Sequence, residues 1–198
     1  MKVFDVLDPR LNDMIGAGAV GVLPTDTLYG LCCLAGLADS VRRVYAIKKR
    51  DQKKPLIILI GKAEDVMSFG CDFSGFVKDF CYKVWPGSVS VILPCREEKL
   101  EYLHRGTWSL AFRVPNNLPL LKIISEVGPL VAPSANPEGR PCAATVEEAM
   151  QYFGDGVDFY AGSGRLSGEP SGIVKIQGDK IIVVRKPSIP IPRVSLVR

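Results

Sequence analysis

Three polar clusters carry residue types from which an active site could be assembled. The first, Pro24-Thr25-Asp26-Thr27, follows a short apolar run and offers two hydroxyls and a carboxylate within three residues. Such a group either hydrogen-bonds a small zwitterion or merely builds a turn and a cap. The second, Lys48-Lys49-Arg50 with Lys53 and Lys54, gathers five cations within seven residues. Bare charge counting makes this a solvated face. Its functional alternative is a triphosphate clamp, in which arginine grips oxygens bidentately and lysine adds a point charge. The third is Pro133-Ser134-Ala135-Asn136-Pro137-Glu138-Gly139-Arg140-Pro141. A Ser-x-Asn pair in a turn bounded by proline and glycine exposes hydroxyl, amide and backbone N–H groups together, and such concavities bind anions. Arg113, ending the run Ser109-Leu110-Ala111-Phe112, adds a fixed cation for a carboxylate, or else a rim ion pair.

Other chemistries find little footing. No Gly-x4-Gly-Lys-Ser/Thr run is present, so the P-loop reading fails. Gly162-Ser163-Gly164-Arg165-Leu166-Ser167-Gly168 is glycine-rich but wrongly spaced for a dinucleotide fingerprint. It reads as a flexible turn, with a ligand-covering loop as the competitor. Cys–His catalysis would have to use His104, the only histidine, which stands in what reads as a polar loop, Leu103-His104-Arg105-Gly106. The six cysteines, at 32, 33, 71, 81, 95 and 142, include no Cys-x-x-Cys spacing. No metal centre is expected of them; small buried hydrophobes in a reducing cytosol are.

Bulk properties agree with a cytoplasmic globular domain. The 198 residues fit one domain, 1–185, with an extended arm over 186–198. A hydrophobic content of 47% supports a sizeable core, and the net charge of +4 permits an anionic ligand without demanding nucleic acid. The start, Met1-Lys2-Val3-Phe4-Asp5, lacks the basic-then-apolar pattern of a leader. No run reaches the ~18–20 apolar residues of a membrane span.

The elements that must position these clusters alternate between strand and helix. Ala19 to Leu23 reads as a buried strand stopped by Pro24, and Asp39-Ser40 as the cap of a helix that ends at Lys48-Lys49-Arg50. A strand over Leu56–Ile60 is followed by helices over Ala63–Phe69 and Phe73–Val84, the latter ended by Trp85-Pro86-Gly87. Strands follow over Ser88–Leu93 and Trp108–Val114, then a helix over Leu118–Val127 and a strand at Leu130-Val131-Ala132. Thr145 to Phe153 reads as a capped helix whose Thr-Val-Glu-Glu start is close to a capping box. Gly172–Gln177 and Lys180–Arg185, joined by Gly178-Asp179, read as a hairpin. Helical crossovers imply parallel pairing and the hairpin antiparallel pairing, so a mixed α/β sheet is expected.

Taken together the clusters resemble the YrdC-like family of L-threonylcarbamoyladenylate synthases. The matching runs are Pro24-Thr25-Asp26-Thr27-Leu28-Tyr29-Gly30-Leu31; Lys48-x-Arg50 with Lys54-Pro55-Leu56; Trp85-Pro86-Gly87; and Ala111-Phe112-Arg113-Val114-Pro115. Pro133-Ser134-Ala135-Asn136 and Gly168-Glu169-Pro170-Ser171-Gly172-Ile173-Val174 complete them, in the family's order.

The resemblance implies a single twisted mixed sheet with flanking helices and a positively charged concave face. It also implies a nucleotidyltransferase that makes threonylcarbamoyl-AMP and pyrophosphate from L-threonine, bicarbonate or CO2, and ATP. Mg2+ would accompany the ATP. The product would serve transfer proteins of the same pathway that modify tRNA. By motif matching, Lys48 and Arg50 would be catalytic. L-threonine would meet Thr25, Thr27, Arg113, Ala132 and Ser171. ATP would meet Lys48, Arg50, Lys54, Ser109, Ser134, Asn136, Cys142 and Arg185.

Two positions depart from the pattern. Leu59 stands where many members carry a histidine, and Cys142 replaces a small hydroxyl residue. Two other readings share the features: a non-enzymatic paralogue that binds double-stranded RNA or a nucleotide, and a carbamoyl-transfer domain of a larger maturation enzyme. The intact Lys-x-Arg and Ser-x-Asn pairs argue against the former, and the lack of a zinc-finger cysteine pattern against the latter.

Overall fold

Ten short strands and six α-helices occupy residues 3–191, the part of the chain that the computed structural model describes. In chain order they begin β1 (Val3–Asp5), α1 (Arg10–Gly16), β2 (Gly21–Pro24), β3 (Tyr29–Leu34), α2 (Ala38–Lys48) and β4 (Ile57–Leu59). Next come α3 (Gly75–Val84), β5 (Val89–Pro94), α4 (Glu101–His104), β6 (Ser109–Arg113), α5 (Leu118–Val127) and β7 (Leu130–Val131). The chain closes with α6 (Val146–Phe153), β8 (Phe159–Gly162), β9 (Gly172–Gln177) and β10 (Lys180–Arg185). One sheet holds all the strands in the order β1-β8-β2-β3-β7-β4-β6-β5-β9-β10. Its pairing is mixed, as the crossovers and the hairpin require: β4/β6 and β5/β9 run parallel, β2/β3, β5/β6 and β9/β10 antiparallel.

Apolar side chains cover both faces of the sheet, and the two faces are packed unequally. On one side Val22, Leu31, Ile58, Val91, Phe112 and Val174 meet the buried faces of α2, α3, α4 and α6. On the other, Leu23, Cys32, Leu59 and Leu130 meet Leu11 and Ile15 of α1 and Leu120, Ile123 and Ile124 of α5. Among the described residues only two helices serve this second face. Along β4, β6, β5 and β9 it is left open, and the pocket described below lies there.

Several local expectations are corrected. Helix α2 starts after Leu37 with no side-chain cap. Ser40 cannot cap it, because its buried hydroxyl donates to the Gly18 carbonyl at 2.7 Å. Residues Ala63–Phe69 form a 3-10 helix rather than an α-helix, and α3 begins at Gly75 rather than Phe73. Thr145 does cap α6, accepting from the Glu148 N–H at 3.2 Å, but the Glu148 carboxylate reaches back to Ala144 N instead of Thr145 N. His104 ends α4, 1% exposed, and is not a loop residue. Its Nδ1 accepts from Gly106 N and its ring stacks on Trp108. Of the arm expected over 186–198, residues 192–198 lie outside the described part. Pro187 is buried against Gly172, so closely that a Cβ there would sit 2.5 Å from it. No helix among the described residues is long and apolar enough to cross a membrane.

Candidate active site

Strand β3 is the element that joins the polar clusters. It pairs with β2, which puts Thr25–Leu28 at the tip of a hairpin. Its other edge takes the third cluster: Leu31 N donates to Pro133 O at 2.8 Å and Ala135 N to Tyr29 O at 2.7 Å. Residues distant in the chain therefore share one rim. At the tip, Thr25 Oγ1 donates to Leu28 O (2.7 Å) and accepts from Thr27 N (3.1 Å). This turn fixes Thr27, whose hydroxyl lies 3.1 Å from that of Thr25. Asp26 ties the tip to β6: its Oδ1 accepts from Arg113 Nη1 at 2.5 Å and its Oδ2 from Asn116 N at 3.1 Å.

The basic cluster divides at the end of α2. Lys48 points inward, 2% exposed, and its Nζ donates to Ser134 O (2.7 Å), Asn136 O (2.7 Å) and Asn136 Oδ1 (3.0 Å). Burial first, and then the charge of Arg50, push its pKa down to about 8. Lys49 adopts a left-handed conformation (φ 52°), which closes the helix and swings Arg50 away from Lys48. Arg50 is then held by two carbonyls, donating from Nε to Lys54 O and from Nη2 to Pro55 O, both at 3.2 Å. A guanidinium has five N–H donors, so the remainder of its fork is free for a ligand. Lys54 stands at the rim in an ion pair with Glu138 at 2.7 Å.

These parts enclose a pocket of about 320 Å3, within the usual range of small-molecule sites. Of the residues marked in the sequence, Thr25, Thr27, Arg50, Ser109, Arg113, Ala132, Ser134, Cys142, Ser171 and Arg185 line it. Lys48, Lys54 and Asn136 do not. Asn136 is spent on the scaffold: its Oδ1 accepts from Ser134 Oγ (2.6 Å) and its Nδ2 donates to Arg140 O (2.6 Å).

The charged side chains of the lining are Arg50, Arg113 and Arg185, with no carboxylate among them. They sense one another. Burial first, and then the like charges of Arg113 and Arg50, lower the pKa of Arg185. Convergent cations held this close are stable when an anion sits between them. Arg113 is 4% exposed, and its Nε–H has no hydrogen-bond partner among the described residues. Ser171 closes the ring, its hydroxyl 3.1 Å from that of Ser90 and its carbonyl accepting from Arg185 Nε at 2.7 Å.

The floor went unmarked in the sequence. Ile57, Ala111, Ile92 and Ile173 face the pocket, while Ile58, Phe112, Val91 and Val174 beside them face the core. Strands apolar on both faces hide which face is open. Leu59 shares the pocket face but is 0% exposed and packed with the residues under α1 and α5. An imidazole there would be buried among apolar groups. Leu59→His is therefore expected to cost about 1–3 kcal/mol of stability, read as a lower urea midpoint with an unchanged slope.

This is an α/β domain whose pocket combines three convergent arginines with paired threonine hydroxyls, its only histidine elsewhere, a lining whose chemistry suits anionic small molecules. The Sua5/YciO/YrdC family model, described as telomere recombination, matches residues 13–187, and the chain belongs to that family. Among its relatives, a threonylcarbamoyl-AMP synthase of Pseudomonas fluorescens is 35% identical over 157 residues, covering 78% of this chain and 83% of the relative. A threonylcarbamoyl-AMP synthase of Bacillus subtilis is 31% identical over 171 residues, covering 84% of this chain and 48% of that protein. The same fold recurs in P. abyssi Sua5 complexed with L-threonine, with a TM-score of 0.88 at 23% identity over 96% of this chain and 58% of that one. It recurs again in E. coli YciO, with a TM-score of 0.82 at 19% identity over 94% and 96% of the two chains.

Proposed function

We propose that this protein is an L-threonylcarbamoyladenylate synthase: a nucleotidyltransferase that condenses L-threonine, bicarbonate or CO2, and ATP into threonylcarbamoyl-AMP and pyrophosphate. The observation that carries the reading is the convergence of Arg50, Arg113 and Arg185 on one pocket that has Thr27 and Thr25 at its edge. The names of the relatives agree with it.

In this reading Arg113 meets the threonine carboxylate, with Thr27, Ala132 and Ser171 around the rest of the amino acid. Arg50 and Arg185 meet phosphates, and Ser109, Ser134 and Cys142 lie along the nucleotide. Lys48 and Asn136 act by holding Ser134. Lys54 reaches a phosphate by leaving Glu138, at little cost for an exposed pair.

The amine of threonine attacks CO2, forming an N–C bond and losing a proton, to give a carbamate. A carbamate oxygen then attacks the α-phosphorus of ATP. The bond from that phosphorus to the bridging oxygen breaks, and pyrophosphate leaves. No covalent enzyme intermediate is needed, so positioning and charge neutralisation carry the catalysis.

Mg2+ arrives with the triphosphate. It would be held mainly by the nucleotide's own oxygens and would offset the charge of the leaving pyrophosphate. The product then passes, in the cytosol, to transfer proteins that modify tRNA.

The test is pyrophosphate release from MgATP by the purified protein. It is expected to require both L-threonine and bicarbonate. Release that ignores the amino acid, or none from folded protein, would overturn the reading.

A further inference from the structure

The glycine-rich run after β8 remains outside this account, and the structure gives it a place. Residues 163–171 leave β8 beside the hairpin tip and enter β9 at Gly172. The segment is pinned at its start by a side chain of the threonine-rich motif. Tyr29, 0% exposed, accepts from Ser163 N at 3.1 Å and donates its hydroxyl proton to Gly164 O at 2.6 Å. Further along, Leu166 N donates to Ala144 O at 2.8 Å. Gly168 then lies on the backbone of Thr27 itself. A Cβ at this residue would stand 2.2 Å from Thr27 O and 3.0 Å from Thr27 C and Cα. Beyond it, Pro170 and Ser171 form part of the pocket wall.

We propose that segment 163–171 is a strap closing the amino-acid end of the pocket, and that Tyr29 is the positioning residue that seats it. One phenol hydroxyl fixes both a donor and an acceptor of the strap, so its two bonds set height and direction together. Gly168 allows contact with the backbone of Thr27, which no side chain would permit. The strap then carries Ser171 into the pocket wall. Thus one segment touches the amino-acid motif at its start and middle and supplies a wall at its end. Carbamates lose CO2 on protonation, and a strap that keeps bulk water from the amino-acid end protects such an intermediate. This inference rests on the synthase reading.

Two variants weaken the strap by different means. Tyr29→Phe keeps the buried ring and removes both bonds. Gly168→Ala forces a Cβ against backbone that cannot yield, lifting the strap without touching the core. Each is expected to raise KM for L-threonine about 5-fold, the order set by one or two lost hydrogen bonds, while KM for ATP stays within about 2-fold. Arg165→Ala, which breaks only an exposed pair with Glu148, should change neither.

The second readout is amide hydrogen exchange across residues 163–168 with and without L-threonine. Threonine should slow exchange there in the wild type and not in Tyr29→Phe. Equal protection in both proteins, unchanged KM values, or KM values for threonine and ATP that rise in parallel would each overturn the strap. A wild type that threonine neither protects nor activates would overturn the synthase reading, and the strap's role with it.

Discussion

Replacing Arg113 by alanine is expected to lower kcat/KM for L-threonine by about 10²–10³ and to destabilise the fold by about 3–5 kcal/mol. Both effects follow from where the guanidinium stands. It is 4% exposed and bound to Asp26, whose carboxylate is also nearly buried, with 8% of its side chain exposed. Burial lowers the pKa of Arg113, and the neighbouring carboxylate works in the opposite direction. Removing the cation leaves the Asp26 charge with only the Asn116 N–H to compensate it, and the tip that carries Thr27 loses its tie to β6. The loss of catalysis has a separate origin, since Nε and the free Nη hydrogens are what an incoming carboxylate would engage.

A double variant separates the two effects. Asp26→Asn with Arg113→Met removes both charges at similar volume, and stability should return to within about 1–2 kcal/mol of the wild type. Activity should stay low, because nothing then faces the substrate carboxylate. Urea unfolding and threonine-dependent pyrophosphate release measure the two halves. Recovery of both together would mean that Arg113 only holds the fold.

How the chain reveals its fold differs from element to element. The helices over Leu118–Val127 and Thr145–Phe153 announce themselves, because apolar residues recur at helical spacing and Asn117 and Thr145 accept from N–H groups in the first turn. Strand β3 lies within the motif Leu28-Tyr29-Gly30-Leu31 and carries no strand period. Its buried run Tyr29–Cys33 has no alternation, because both faces of the sheet are covered there. Helix α1 buries only Leu11 and Ile15, too short a stripe to register. Strand β8 has four residues beside a glycine-rich segment and gives no signal of its own.

The site was legible as chemistry and not as geometry. Ten residues marked by type and motif do line one pocket, because β3 gathers the loops at several strand ends onto one rim. Spacing alone could not distinguish Lys48 from Arg50, which lie two residues apart. The left-handed Lys49 sends one into the scaffold and the other to the pocket. The role of Asp26 was equally invisible, since its partner lies 87 residues away.

Lys48→Met is expected to lower kcat/KM for ATP by about 10²-fold, although the residue does not line the pocket. Its ammonium gives one hydrogen to each of three oxygens on Ser134 and Asn136, so it fixes the turn that presents Ser134. A methionine keeps the volume, leaves the Asn136 carbonyl without a partner and leaves Ser134 O with only its bond from Asn136 N. The turn must shift to satisfy them, and a displacement of about 1 Å at a substrate-positioning residue costs turnover of that order.

The same ammonium makes a pH signature. With its pKa near 8, the third N–H is lost as pH rises through that value, and one of the three oxygens then faces a lone pair. Activity should decline above pH 8 in the wild type, and the inflection should vanish in Lys48→Met. Stability moves the other way. The folded value lies below the ordinary 10.5, so between about pH 8 and 10.5 the unfolded chain holds a proton that the folded chain lacks. This group's contribution to stability therefore rises with pH across that window. Activity and Tm, both measured from pH 7 to 10, should diverge in the wild type relative to Lys48→Met. A parallel fall of the two would place the titration elsewhere and leave Lys48 without this role.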